Sequence, residues 1–251
     1  MQTPSEDLLF KIMPKNAGAH NSVYRGKDIT NLFYNGTLSP QIANQTFDDI
    51  FVGDYIIGNV SNKKYLVADI NYRFHCSNTQ ITTPHILMIP EGSMGLAKMN
   101  DTDITTGAYA DSKMRTEYLT PYKTIIQNDF GTNHILSHNN FFARSVTNGY
   151  ENSGTWYQSE IDLMNERMVY GSDIYHNKLN GTNLAMNTTV DRCQLSLFAI
   201  RKDLILLNPR SNYWLRDVVS NTTFATVDGY GFSFYGPASS SFNVRPAFLI
   251  Y

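Results

Sequence analysis

Any chemistry in this chain must start from six histidines, two cysteines and scattered carboxylates. His134 and His138 stand four apart, a spacing that on a helix puts both imidazoles on one face, in reach of a metal ion. Gly131 precedes the pair and Asn139-Asn140 follows it, and no Glu occupies the position of a metalloprotease base, so both are read as satisfied histidines. His75-Cys76 has no second pair at zinc-ligand spacing. Asp48-Asp49 and Asp101-Thr102-Asp103 lack the glycine-kinked loop and closing Glu of a calcium site. Gly92-Ser93-Met94-Gly95 lacks the strand and the Lys-Ser of a phosphate loop. Cys193 follows Asp191 and Arg192, a setting that favours a thiolate, but the apolar run behind it reads as a strand and the thiol as buried. No catalytic constellation stands out. The expectation is a non-enzymatic chain with no catalytic residue, metal or cofactor.

Composition narrows the classes further. At 251 residues the chain can bury a sizeable core in one large domain, or in a domain with an appendage. A net charge of -2 gives no electrostatic footprint for nucleic acid or anionic membrane. No apolar run approaches the roughly 20 residues that span a bilayer. Met1-Gln-Thr-Pro-Ser-Glu-Asp7 lacks the basic and apolar regions of a signal peptide, which predicts synthesis in the cytoplasm without secretion. Cys76 and Cys193 are then expected as two buried thiols. Asn-Xaa-Thr triplets such as Asn35-Gly-Thr37 and Asn221-Thr-Thr223 are expected to carry no glycan. With 16 Tyr and 14 Phe against 2 Trp, and many Asn, Thr and Ser, the texture suits short strands and adaptable contact surfaces.

The elements that would position such surfaces follow from local pattern. Leu8–Met13 reads as a short strand or docking segment. Ser39-Pro40 reads as the cap and first residue of a short helix. The one plausible boundary falls near residue 48, making 1–48 an arm and 49–251 the main domain. Residues 51–57 and 64–70 read as two strands across the turn at Asn59 to Lys63, and His85 to Ile89 as a short buried strand. Met114, Tyr118, Tyr122, Ile125 and Ile126 share a face at helical spacing. Thr120-Pro121 splits that run into two helices, the second capped by Thr120. Residues 133–158 read as strands and long loops. Ile161–Tyr170 fits a strand or a helix, and Asp173 to Asp191 is a polar loop. No internal repeat is visible.

The closing region, Asn212 to Tyr251, has two dense blocks around a soft middle. Asn212-Tyr-Trp-Leu-Arg-Asp217 and Asn243-Val-Arg-Pro-Ala-Phe-Leu-Ile-Tyr251 bracket a strand and turn (221–229), a second strand (231–236) and a flexible bend (237–241). Trp214, Arg216, Asp217, Arg245 and Pro246 form the expected structural frame. Arg216 or Arg245 is expected to pair with a frame carboxylate such as Asp217 or Asp54, pinning the ends of the middle. A rigid frame holding a variable polar middle is the layout of a binding surface.

These blocks carry a resemblance. Tyr213-Trp-Leu-Arg-Asp217, Phe224-Ala-Thr-Val-Asp-Gly229 and Asn243-Val-Arg-Pro-Ala-Phe-Leu-Ile250 resemble the closing motifs of a C-type-lectin-like domain. That fold is related to formylglycine-generating enzymes and to the variable proteins of diversity-generating retroelements. Gly53-Asp-Tyr-Ile-Ile57 with Tyr65-Leu-Val-Ala-Asp-Ile70 looks like the domain's opening hairpin. Met164-Asn-Glu-Arg-Met-Val-Tyr-Gly171 looks like an internal strand, which tips the ambiguous segment toward β. His20-Asn-Ser-Val-Tyr-Arg-Gly-Lys-Asp-Ile-Thr30 with Phe47-Asp-Asp-Ile-Phe-Val-Gly-Asp-Tyr55 is similar to tail or head fibre proteins of phages infecting gut Firmicutes.

The resemblance implies an α+β, C-type-lectin-like fold of short antiparallel strands and one or two short helices, preceded by an N-terminal arm. It implies a virion protein. Residues 1–48 would attach to other virion proteins, the assembly would be a homotrimer, and the lectin-like face would meet a bacterial surface glycan or protein. The positions that vary in retroelement-diversified relatives map to Thr222, Thr223, Tyr230, Phe232, Phe234, Tyr235, Ser239, Ser240 and Ser241, the candidate ligand-binding residues. Only Cys193 stands where formylglycine enzymes carry paired cysteines, and the sugar-binding triplets of calcium lectins are absent, so neither activity is implied. Two alternatives stay open: a structural decoration or collar subunit with no dedicated ligand, and a bacterial lectin-like or enzyme-like domain.

Overall fold

A computed structural model describes residues 6–76, 78–175, 191 and 193–251. The described chain is mixed α and β, with mostly antiparallel sheets and a few short helices. Four helices open it: α1 (Glu6–Ile12), α2 (Ala17–Asn21), α3 (Thr30–Tyr34) and α4 (Leu38–Ala43). The next strands are β1 (Tyr55–Ile57), β2 (Lys64–Ile70), β3 (Ile86–Pro90) and β4 (Leu96–Ala97). After α5 (Thr120–Phe130) come β5 (His138–Thr147), β6 (Tyr150–Ser159) and β7 (Ile161–Leu163). Two further helices are α6 (Glu166–Tyr170) and α7 (Ser196–Ile200). The closing strands are β8 (Tyr213–Val218), β9 (Thr223–Val227), β10 (Ser233–Pro237), β11 (Phe242–Asn243) and β12 (Pro246–Ile250).

One sheet runs β1-β2-β3-β12-β7, every neighbour antiparallel. A second runs β10-β9-β8-β11-β4, with β8 and β11 parallel. Strands β5 and β6 form a separate long hairpin. Period-two alternation sends successive side chains to opposite faces, and here both faces are covered. Ile86, Met88, Phe248 and Ile250 enter a core with α3, α4 and α5, while Leu87, Ile89, Ala247 and Leu249 enter a core between the two sheets. Tyr213 and Leu215 of β8 join that middle core, and Trp214 and Val218 face a third core with Phe142 of β5. Burial on both faces is why Ile-Leu-Met-Ile and Ala-Phe-Leu-Ile read as unbroken apolar runs. Among the described residues no helix is long and apolar enough to cross a membrane.

Several sequence expectations change in the structure. Residues 17–47, read as part of an arm, pack on the first sheet: Ile29, Phe33, Leu38, Ile42 and Phe47 are buried in its core. Leu8–Met13 is mostly helix rather than strand. Helix α4 starts at Leu38, so Ser39 lies inside its first turn instead of capping it. Helix α5 begins at Thr120 with Pro121 in its first turn, but the capping position is Leu119 and no side chain caps it. The segment 161–170 divides between β7 and α6. Asn165 Oδ1 accepts the Met168 amide at 2.8 Å, and this side-chain cap stops the strand and starts a helix where the resemblance tipped it to β. The run after Cys193 is α7, not a strand, and Cys193 is exposed while Cys76 is half-buried, so the two buried thiols are not found. Of the polar loop 173–191, residues 176–190 lie outside the described residues.

Candidate functional site

The candidate residues lie on the β9–β10 hairpin and the bend after it. At its tip, Asp228 Oδ1 accepts the amide hydrogens of Tyr230 at 2.8 Å and Phe232 at 2.9 Å. The Asp228 amide donates to Phe232 O at 2.9 Å, and Gly231, at φ +87°, donates to Asp228 O at 3.0 Å. A positive φ there suits glycine alone at little cost. Gly229 N–H reaches across to Asn212 Oδ1 at 3.0 Å, tying the tip to the segment entering β8. The turn is therefore set by its own hydrogen bonds, and it holds Tyr230 and Phe232 outward, 76% and 69% exposed.

Phe234 and Tyr235 continue the patch along edge strand β10, 46% and 42% exposed. Their rings stack at 4.9 Å and 11°, and Tyr175 meets Tyr235 edge-on at 5.5 Å. Ser233 Oγ, at the start of the same strand, donates to the buried carboxylate of Glu166, which also accepts the amides of Ile174 and Tyr175. Gly236 leaves room for the Phe242 ring; a Cβ there would lie 2.3 Å from Phe242 Cε2. A groove of about 470 Å³ opens beside the tip, lined by Arg210, Ser211, Asn212, Asp228, Gly229, Tyr230 and Phe234.

The hydroxyl-bearing candidates stand at the other end of the hairpin. Ser233 pairs with Val227 and Pro237 with Thr223, so the two ends are roughly 13 Å apart along the strand. Thr222 and Thr223 share Ser220 Oγ, at 3.3 and 2.7 Å. The Ser239 amide donates to Asp103 Oδ1 at 3.0 Å, and the Ser239 hydroxyl first and this amide second hold that carboxyl below its usual range. Ser240 N–H closes a turn onto Pro237 O, and Ser241 is exposed. The structure thus stacks Phe234 on Tyr235, sets Tyr230 and Phe234 on one groove, leaves Phe232 exposed at the same end of the hairpin, and sets Thr222, Thr223, Ser239, Ser240 and Ser241 apart. Sequence reading missed Arg210, Ser211, Asn212 and Tyr175. The Asp228-Gly229 turn signal was visible, and its consequence, a carboxylate fixing two aromatic residues, could have been drawn.

The frame is buried and ionic, but its partners differ from those expected. Trp214 Nε1 donates to Ala97 O at 2.9 Å, and Pro246 pairs with Leu163. Arg216 binds Asp191 Oδ2 at 2.6 Å, and against burial that charge and also the charge of Asp217 raise the Arg216 pKa, while Arg73 reaches the same Asp191 oxygen at 2.7 Å. Burial pushes the Asp191 carboxyl up, and the two guanidiniums outweigh it and hold it below the usual range. Asp217 instead accepts the Glu166 amide at 2.7 Å, and Asp54 pairs with Arg25. Among the described residues Arg245 forms no ion pair with a carboxylate. Its Nε donates to Pro90 O at 3.0 Å and its Nη1 to Leu204 O and Ile205 O at 2.9 and 3.2 Å, with the Phe198 and Tyr213 rings against the guanidinium. Sequence proximity suggested carboxylates; the true partners come from segments distant in the chain.

His138 and His85 join this frame. His138 opens β5 and is buried, with Nδ1 donating to Leu136 O at 3.1 Å and Nε2 accepting from the Arg73 guanidinium. His134 sits in a separate helical turn, so the two are not on one helix face. His85 Nδ1 donates to Thr83 O at 2.9 Å, and Nε2 accepts the Arg73 amide at 3.1 Å. Burial first, and Arg73 second for His138, push these imidazoles down, His85 to about 4 and His138 to about 3. Among the described residues no group of three His, Cys, Asp or Glu is arranged to hold a metal ion.

A second concavity, about 950 Å³, lies under α1 and is lined by Phe10, Met13, His20, Tyr24, Arg25 and Asp48 among others. His20 donates from Nδ1 to Ile50 O at 2.8 Å and stacks on Phe51, leaving its buried Nε2 without a partner among the described residues. Compared with protein-family models, curated proteins and solved structures, the chain matches none.

Proposed function

We propose that this chain is a non-enzymatic recognition protein of a phage virion, a C-type-lectin-like module at a fibre tip that binds the bacterial host surface. The observation that carries the binding role is the patch of Tyr230, Phe232, Phe234 and Tyr235, four large rings standing in solvent on a turn fixed by Asp228. Contiguous exposed aromatic surface on a rigid support is costly to a monomer unless something covers it. Virion origin rests on the resemblance of residues 20–30 and 47–55 to phage fibre proteins. The closing motifs support the lectin-like assignment, and the α+β topology is compatible with it.

Attachment to other virion proteins, and assembly as a homotrimer, are assigned to the N-terminal segment. Leu8, Leu9 and Ile12 of α1 are 45%, 48% and 68% exposed, and the cleft with His20 lies beneath them. Because residues 17–47 belong to the core, attachment falls to α1 and what surrounds it. Light scattering of wild type should give a trimer, and Leu8→Ser/Leu9→Ser/Ile12→Ser should shift it to smaller species. A wild-type monomer would remove the trimer from the account.

The binding role is tested by adsorption to a panel of Firmicutes cells. Wild type should adsorb, and Tyr230→Ala/Phe232→Ala/Tyr235→Ala should not. Equal adsorption would remove the site, and no adsorption by either would favour a structural decoration or collar subunit.

A further inference from the structure

We infer that the aromatic face takes an uncharged carbohydrate, with one sugar ring laid against Tyr230 and Phe234 across the groove that Asp228 and Asn212 line. This rests on the reading of that face as a host-binding surface and goes further by naming the ligand's chemistry. The groove's volume, about 470 Å³, falls among small-ligand sites. Its charge is balanced: Arg210 and Asp228 are its only ionised side chains among the lining residues, one of each sign. A phosphate or uronate polymer is recognised by clustered cations, and none cluster here.

The polar groups are placed for hydroxyls. Asp228 Oδ1 is committed to the Tyr230 and Phe232 amides and Asn212 Oδ1 to the Gly229 amide. Among the described residues Asp228 Oδ2 makes no hydrogen bond, and neither does Asn212 Nδ2, leaving one fixed acceptor and one fixed donor at the groove. Neighbouring hydroxyls of a sugar, each both donor and acceptor, match such a pair. The rings supply the other half of the match. Two of the four are Phe, which cannot hydrogen-bond, so the ligand must present an apolar face as well as hydroxyls. A pyranose does so: its axial C–H groups carry slight positive charge and lie well on the negative face of an aromatic ring. The preformed turn loses little freedom on binding, which favours a weakly interacting ligand of this kind.

The test uses defined probes. Wild-type protein is screened on an array of neutral hexose and N-acetylhexosamine oligosaccharides, with polygalacturonate as the polyanion, and hits are titrated by calorimetry. At least one neutral oligosaccharide should bind, with a dissociation constant that changes less than about threefold between about 50 and about 500 mM salt. Tyr230→Ala, at the most exposed position of the patch, should weaken it by about tenfold or more with unfolding unchanged. Adsorption to cells should fall after periodate, which cleaves sugar diols, and persist after protease. Binding to polygalacturonate alone, or binding that collapses with salt, overturns the uncharged ligand. So does binding to no neutral oligosaccharide, or adsorption lost to protease and kept after periodate. In each of those cases the host-binding reading survives if the triple alanine variant still fails to adsorb, and fails if that variant adsorbs like wild type.

Discussion

Along β8 and from Val244 to Ile250 every side chain is buried, two arginines among them. Along the turn at Asp228 and strand β10, a few residues away in sequence, four large aromatic rings stand in solvent. Ordinary solvation chemistry would place these groups the other way round. The arginines stay inside because each is matched: Arg216 by Asp191, shared with Arg73, and Arg245 by three main-chain carbonyls. The rings stay outside because the tip is pinned by its own hydrogen bonds and not by burial. On the proposed function, one half of the closing region answers to stability and the other to recognition, and substitutions should separate them.

The largest effect is expected at the ionic node. Asp191→Asn removes the one carboxylate that buried Arg73 and Arg216 both bind, a loss of about 3–5 kcal/mol by urea unfolding. A loss below about 1 kcal/mol would show that the node contributes little. Acid should weaken the same region. The unfolded chain protonates His85 and His138 near pH 6.5, whereas the folded chain keeps them neutral to about 4 and about 3. Their contribution is therefore full above pH 6.5 and is lost as pH falls toward the folded values. Asp69 works in the opposite sense: burial raises it to about 6, so its folded form gains stability as pH falls below that. At pH 4.5 the histidines together cost about 5 kcal/mol and Asp69 offsets about 2, a net loss on the order of 3 kcal/mol relative to pH 7. Urea midpoints at the two pH values check the sum, and imidazole resonances that stay neutral down to pH 5 check its cause.

A smaller effect is expected where the two halves meet. Asp228→Ala removes two hydrogen bonds at the exposed tip and should cost about 1 kcal/mol of stability. It should also weaken adsorption, because Tyr230 and Phe232 lose their fixed positions. Unchanged adsorption would mean that the turn's rigidity does not matter to recognition.

How far the sequence reveals this division differs between the halves. The strands of the closing region, the opening hairpin and the break at Thr120-Pro121 follow from local alternation and turn chemistry, which the structure keeps. Trp214, Arg216 and Arg245 were recognisable as frame residues by their place in apolar blocks. Their partners were not, because Asp191, Arg73, Pro90 and Leu204 come together only through sheet order. The same limit hid the groove, whose Arg210 and Asn212 sit across from Asp228 by the β8–β9 pairing. It also explains the N-terminal segment: Ile29, Phe33 and Ile42 are sparse in sequence and become core only when α3 and α4 lie on the first sheet. Where local signals competed, as at Asn165, the side-chain cap decided for helix.

The separation of frame from face is tested most directly by measuring urea unfolding and cell adsorption on one preparation of Tyr230→Ala/Phe232→Ala/Tyr235→Ala. The account predicts a stability within about 0.5 kcal/mol of wild type, as for exposed positions, together with loss of adsorption. A variant that unfolds several kcal/mol more easily, or one that folds and adsorbs like wild type, would contradict it.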